Sequence, residues 1–266
     1  MFYNLIKDKI KINNSYVDYI AFGVGSRNLI IVPGLSVRDL KGAGISLVLM
    51  YKCFAKDYRV YLFDRRHDVS EGFSIWDMAD DIANAMKQLG VDSADFLGVS
   101  QGGMISMALA IKYPDKVSKL VLCATAARPN DTIKKNINNW VVYAKKGDYV
   151  SINKETFSLM YTASYLKKYK LIMPFIVRLV KPKDVNRFVI LASSILTFDC
   201  YEKLSEIKCP VLVIGGECDQ ITTGEASVEI AEKIGCEIYM YKEYGHAVYE
   251  EAKKDFNKRV YDFLML

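Results

Sequence analysis

Seven short apolar runs, with a helix-length segment between most of them, constrain this chain more than any other feature. The runs cover residues 16–22, 29–32, 59–63, 95–99, 119–123, 211–214 and 237–241, all rich in Val, Ile, Leu, Phe or Tyr. Helical patterns cover 38–55, 75–89, 102–113 and 223–234, and a last one over 247–264 closes the chain. The first run reads as one arm of an opening hairpin. Strands this apolar are buried on both faces, and crossover helices between them predict a mainly parallel sheet flanked by helices, an α/β class. The chain is long enough for it: 266 residues with 51% hydrophobic content can bury a substantial core. Ligands of such sheets bind beyond the carboxyl ends of the strands.

One interval breaks the alternation. Residues 128–204 show no strand, only amphipathic helical stretches separated by Gly147, Pro174 and Pro182. Lying between two core strands, this interval is expected to form a helical cap over the carboxyl ends, with 1–127 and 205–266 as the core. Residues 128–203 hold 14 Lys and Arg against 6 Asp and Glu, so the cap carries about +8 of a chain whose total is +5. That charge reads either as a preference for anionic substrates or an acidic surface, or as a solvated helical face. Eleven aromatics, Trp140 among them, fall in the same interval. Most are expected to pack the cap onto the core and a few to line a pocket.

The run 95–99 leads into Gly98-Val99-Ser100-Gln101-Gly102 and then into a helical pattern. Glycines on both sides of a serine between strand and helix fit a sharp turn that lifts the hydroxyl above the sheet edge, because a Cβ at either would collide where the two elements converge. The start of the following helix adds free N–H groups and a positive dipole end where negative charge develops during attack on a carbonyl. A tight structural turn is the plainer alternative.

A serine hydroxyl is a weak nucleophile until a base takes its proton. The chain has two histidines. His246 follows the last strand and so lies at the same edge of the sheet; His67, in Asp64-Arg65-Arg66-His67-Asp68, follows an earlier one. A carboxylate should orient the base. Gly215-Gly216-Glu217-Cys218-Asp219 follows the strand 211–214. The two glycines read as the turn leaving that strand, which favours Asp219, with Glu217 as competitor.

Together these motifs resemble the α/β-hydrolase fold superfamily over nearly the whole length, with Ser100, Asp219 and His246 in that family's chain order. The resemblance implies an acid 25 to 30 residues before the histidine, and here the separation is 27. It also implies an oxyanion hole built from the backbone N–H of Leu35, after Pro33-Gly34, and that of Gln101, with Gly34, Ser36, His67 and Trp140 near the substrate. Two departures stand out: Pro33 where many relatives have His, and Arg66-His67-Asp68-Val69-Ser70 in place of a glycine-rich loop.

The function implied is hydrolysis of a small carboxylic ester or thioester through an acyl-enzyme, with no cofactor or metal. A serine at the turn argues against the dehalogenases and epoxide hydrolases, whose nucleophile is a carboxylate. Carbon-carbon cleavage of a diketone-like acid is the alternative reaction, and a ligand sensor on the same fold the alternative class. The six cysteines, scattered singly, read as reduced thiols. No signal peptide, membrane span or nucleic-acid motif is evident, which predicts a cytoplasmic protein acting on small molecules.

Overall fold

The structure, a computed structural model, describes residues 3–37, 40–169, 171 and 173–266, and only the backbone of 41, 43, 174, 176 and 179. Eight strands form one sheet: β1 (Ile6–Ile12), β2 (Ser15–Phe22), β3 (Arg27–Val32), β4 (Tyr58–Arg66), β5 (Ala94–Val99), β6 (Val117–Cys123), β7 (Val211–Gly216) and β8 (Glu237–Tyr241). Their spatial order is β1-β2-β4-β3-β5-β6-β7-β8. β1 and β2 make the antiparallel hairpin and β2 is antiparallel to β4, whereas all later neighbours are parallel.

The helices are α1 (Gly44–Tyr51), α2 (Ile75–Gln88), α3 (Gln101–Lys112), α4 (Asp131–Lys145), α5 (Tyr149–Met160), α6 (Ala163–Lys168), α7 (Met173–Leu179), α8 (Val185–Leu196), α9 (Gly224–Ile234), α10 (Val248–Glu251) and α11 (Lys253–Met265). The pleat explains why the strands show no polar alternation. On β3, Ile30 and Val32 pack with α2, α3 and α9, while Leu29 and Ile31 pack with α1 and α11 on the opposite face. β6 divides in the same way, Leu120 and Leu122 against Val121 and Cys123. Each successive side chain therefore enters a core layer.

Most predicted elements lie within or beside observed ones, and two differ. The helix expected over 38–55 starts outside the described residues, at 38 and 39, and continues as a 3-10 turn (Leu40–Ala43), α1 and a second 3-10 turn (Lys52–Phe54). The closing helix expected over 247–264 is interrupted at Ala252. Glu250 and Glu251 of α10 are held by Tyr161 and Thr162, whereas Phe256, Val260 and Leu264 of α11 lie on the sheet. The two segments answer to different partners.

Between β6 and β7 the described residues are helical. Each of α4, α5, α6 and α8 begins at a side chain that accepts a backbone N–H: Asn130, Asp148, Thr162 and Asp184. Gly147, at φ 70°, lets the chain leave α4. Ile133, Ile137 and Trp140 of α4 and Phe188 and Leu191 of α8 share a buried cluster with Met104 of α3 and Ile221 after β7, so this insertion packs over the carboxyl end of the sheet. Of the expected boundaries, 128 falls in the connection before α4 and 204 within a 3-10 turn (Tyr201–Glu206). All six cysteines are free thiols.

Candidate active site

Ser100 is the hinge between β5 and α3, with φ 54° and ψ −124°, a conformation that costs a β-carbon-bearing residue about 1 kcal/mol or more. Neighbouring strands hold it there. Its N–H donates to the Cys123 carbonyl at 2.9 Å, and its own carbonyl accepts from Thr125 Oγ1 at 2.7 Å and from the Gly103 N–H at 2.8 Å. A Cβ at Gly102 would lie 1.9 Å from the Val32 carbonyl oxygen, and one at Gly98 2.7 Å from that of Gly102. The glycines admit the close crossing of β3, β5 and α3 that makes the turn.

His246 and Asp219 meet on the same edge. Nδ1 of His246 lies 2.9 Å from Oδ2 of Asp219, and both side chains are at most 4% exposed. The carboxylate is further held by Thr222 Oγ1 (2.7 Å) and by the N–H groups of Ile221 (2.7 Å) and Thr222 (3.0 Å). Burial alone would raise the Asp219 carboxyl. The facing ring of His246 and these hydrogen bonds outweigh it and bring the carboxyl down to about 2. Glu217 is exposed and stands outside this cluster. Gly215 and Gly216, expected as a turn, are the last residues of β7. A Cβ at Gly216 would lie 2.3 Å from the Tyr244 carbonyl and 2.5 Å from that of Gly245, so glycine there lets the histidine loop cross the strand end.

Ser100 and His246 line one cavity of about 530 Å³ together with Gly34, Leu35, Ser36, Gln101 and Trp140. A Cβ at Gly34 would lie 3.2 Å from that of Ser100, which brings the loop after β3 against the serine. Gln101, first residue of α3, also donates from Nε2 to the Leu191 carbonyl of α8 at 2.7 Å. Asp219 stands outside the cavity wall, bonded to His246, and of the other residues singled out from sequence every one but one lines the cavity.

The exception is His67. It is half exposed, its Nε2 lies 3.0 Å from Asp18 Oδ2, and it is absent from the cavity wall. The preceding Arg66 turns away to pair with Asp81 of α2, which carries this loop outward. Of the two readings of the insertion's charge, anion binding finds no support in the main cavity. No Lys or Arg lines it among the described residues, so the basic charge of the insertion does not reach the space beside Ser100. The wall is mostly apolar, with Met104, Ile133, Ile137, Phe157 and Phe188, and its carboxyl group belongs to Glu250, which accepts from Tyr161 Oη at 2.7 Å. Burial raises the Glu250 carboxyl, against the lowering effect of that hydrogen bond.

Thr222 and Glu250 were not singled out from sequence, and Tyr161 only as one of the eleven aromatics of the insertion. Thr222 carried a signal, since a hydroxyl three positions after an aspartate is placed to bond it. Nothing in the sequence pairs Tyr161 with Glu250, because their meeting depends on how the insertion docks.

Comparison with known proteins agrees with this geometry. The description "alpha/beta hydrolase fold" matches residues 29–159. A provisionally named carbamate hydrolase, RutD, of Rhizobium rhizogenes is 24% identical over 248 residues, 90% of this chain and 93% of that one. The 3-oxoadipate enol-lactonase 2 of Acinetobacter baylyi is 22% identical over 96% of this chain and 95% of its own. Among solved structures, the enol-lactonase from Burkholderia xenovorans superposes with a TM-score of 0.86 at 23% identity, covering 97% of this chain and all of that one. Its strand order, its serine turn and these matches show that the chain has the α/β-hydrolase fold.

Proposed function

We propose that this protein is a serine hydrolase that cleaves a small carboxylic ester or thioester through an acyl-enzyme. The observation that carries the reading is the buried Asp219–His246 pair opening on the cavity that Ser100 enters from a strained turn. Asp219 holds Nδ1, leaving Nε2 of His246 to take the Ser100 proton. The alkoxide attacks the carbonyl carbon, and the oxyanion is held by the N–H groups of Leu35 and Gln101, a contribution of about 10²–10³ in rate per donor. As the tetrahedral intermediate collapses and its carbonyl re-forms, the bond to the leaving group breaks and that group takes the proton from His246. Water then gives a proton to His246, attacks the acyl carbon, and frees the acid as Ser100 recovers its proton.

Residues 128–204 act in this reading as a cap whose apolar wall holds the less polar part of the substrate. The names of the relatives, a carbamate hydrolase and an enol-lactonase, support a hydrolase acting on a carbonyl carbon. A fluorophosphonate probe tests it. Rapid labelling of the intact protein, lost in Ser100→Ala, is the expected result; a folded protein that stays unlabelled refutes it and favours a ligand sensor.

A further inference from the structure

One cation of the insertion does reach the sheet. Arg187 of α8 donates from Nε to the Arg66 carbonyl at 2.8 Å, and from a terminal nitrogen to the Arg65 carbonyl at 2.7 Å and to Asp64 Oδ1 at 3.1 Å. Beside it, Arg65 is only 6% exposed. Its guanidinium donates to the Pro33 carbonyl at 2.6 Å, and its buried Nε has no partner. Both arginines line a side chamber of about 150 Å³, bounded also by Asp64, Gly34, Leu35, Ser36 and Gln101. The last four line the main cavity too, so the loop that carries the Leu35 N–H stands at the junction of the two spaces.

The charges of this chamber do not balance. Among the described residues its wall holds two guanidiniums and one carboxylate. That carboxylate is already engaged by Arg187 and by the N–H groups of Leu40 and Arg65. Burial, with Arg187 adding to it and Asp64 opposing, lowers Arg65 only to about 10, so it stays a cation at neutral pH. A buried cation with one carbonyl partner and an unused donor is costly until an anion joins it. The space holds roughly five water-sized groups, enough for a carboxylate and a short methylene link.

We propose that Arg65 and Arg187 form an anion subsite for a carboxylate on the acyl part of the substrate. The inference rests on the hydrolase reading and narrows it: the substrate class is the half-ester or half-thioester of a short dicarboxylic acid, with its apolar leaving group in the main cavity. The serine acts between the two spaces. The carboxylate is taken up by the side chamber, since among the described residues the main cavity holds no Lys or Arg and its wall carries the acidic Glu250.

The test compares p-nitrophenyl hemisuccinate and hemiglutarate with the neutral butyrate and pentanoate of matching length. The intact protein should favour the half-ester in kcat/KM by about tenfold or more at one of the two lengths, the worth of one hydrogen bond to a charged group. Arg187→Met and Arg65→Lys should each remove that preference, and the two variants guard against one that fails to fold. Neutral esters turned over without a half-ester preference at either length would overturn the subsite while leaving the hydrolase reading intact. If no ester of either kind is turned over, the hydrolase reading fails and glutarate alone tests the subsite: it should raise the Tm of the intact protein and not that of Arg187→Met. Equal shifts, or none, would overturn it.

Discussion

Replacing Gly102 by alanine tests whether the crossing of β3 and α3 is what shapes the turn at Ser100. The added Cβ would lie 1.9 Å from the Val32 oxygen, 2.5 Å from its carbonyl carbon and 2.7 Å from the Pro33 oxygen. Ordinary contact begins at 3.4 Å, so the two segments must part by roughly 1.5 Å. All three obstacles are backbone, which has no rotamer to change. Overpacking of this kind falls at the upper end of the usual range, about 3 kcal/mol, which lowers Tm by about 6–12 °C in a chain of this size. The parting also shifts the loop bearing the Leu35 N–H by a comparable distance. A misplacement of about 1 Å costs on the order of 100-fold in rate. Gly42→Ala is the control: nothing lies within 4 Å of its Cβ, and its stability should stay within about 0.5 kcal/mol of the parent. Thermal unfolding and fluorophosphonate labelling of both variants give the comparison. A Gly102→Ala protein as stable and as quickly labelled as Gly42→Ala would refute the reasoning.

Asp219→Asn should slow labelling about 10³-fold or more, since the imidazolium loses its counter-charge and Nδ1 its acceptor; a change under tenfold would remove Asp219 from the mechanism. The same carboxyl links stability to pH. Its folded value of about 2 lies below the unfolded one near 3.9, so it contributes a stabilisation that is fully present above pH 4 and lost as pH falls through 2. In urea titrations the stability gap between the parent and Asp219→Asn should therefore narrow from pH 4.5 to pH 2.5; a constant gap contradicts the linkage. His67→Ala should leave labelling within about twofold and cost at most about 1 kcal/mol, as expected of a half-exposed pair. Loss of labelling in that variant would mean that His67, rather than His246, is the base.

The elements of the sheet were legible because burial on both faces leaves a plain mark: Leu29 to Val32 has no polar residue to interrupt it. The serine turn was legible for a related reason, since Gly98 and Gly102 are required by close backbone approach and little else needs glycine at both places. Asp219 and His246 followed from their positions after β7 and before α10. The wall of the cavity was another matter. Trp140 was anticipated as an aromatic of the insertion, but Tyr161 faces Glu250 only because α5 ends beside the histidine loop, where the Ala247 N–H donates to the Met160 carbonyl. His67 misled for the complementary reason: a loop at the correct edge was read as facing the site, and the Arg66–Asp81 pair turns it outward. Chain position predicts which edge a residue reaches; side-chain partners decide which way it faces.

In the proposed mechanism, the separation of Ser100 from His246 along the chain also sets when the protein can act. At roughly 5–20 residues per second, about 7 to 30 s of synthesis pass between the alcohol and its base. For most of that time the β5–α3 turn can form while β7 and β8 are still unmade, so in the proposed mechanism the hydroxyl waits on the ribosome as an ordinary alcohol. On that mechanism reactivity needs the final two strands and the histidine loop after them, which would make labelling of Ser100 a marker of completed folding rather than of a folded half.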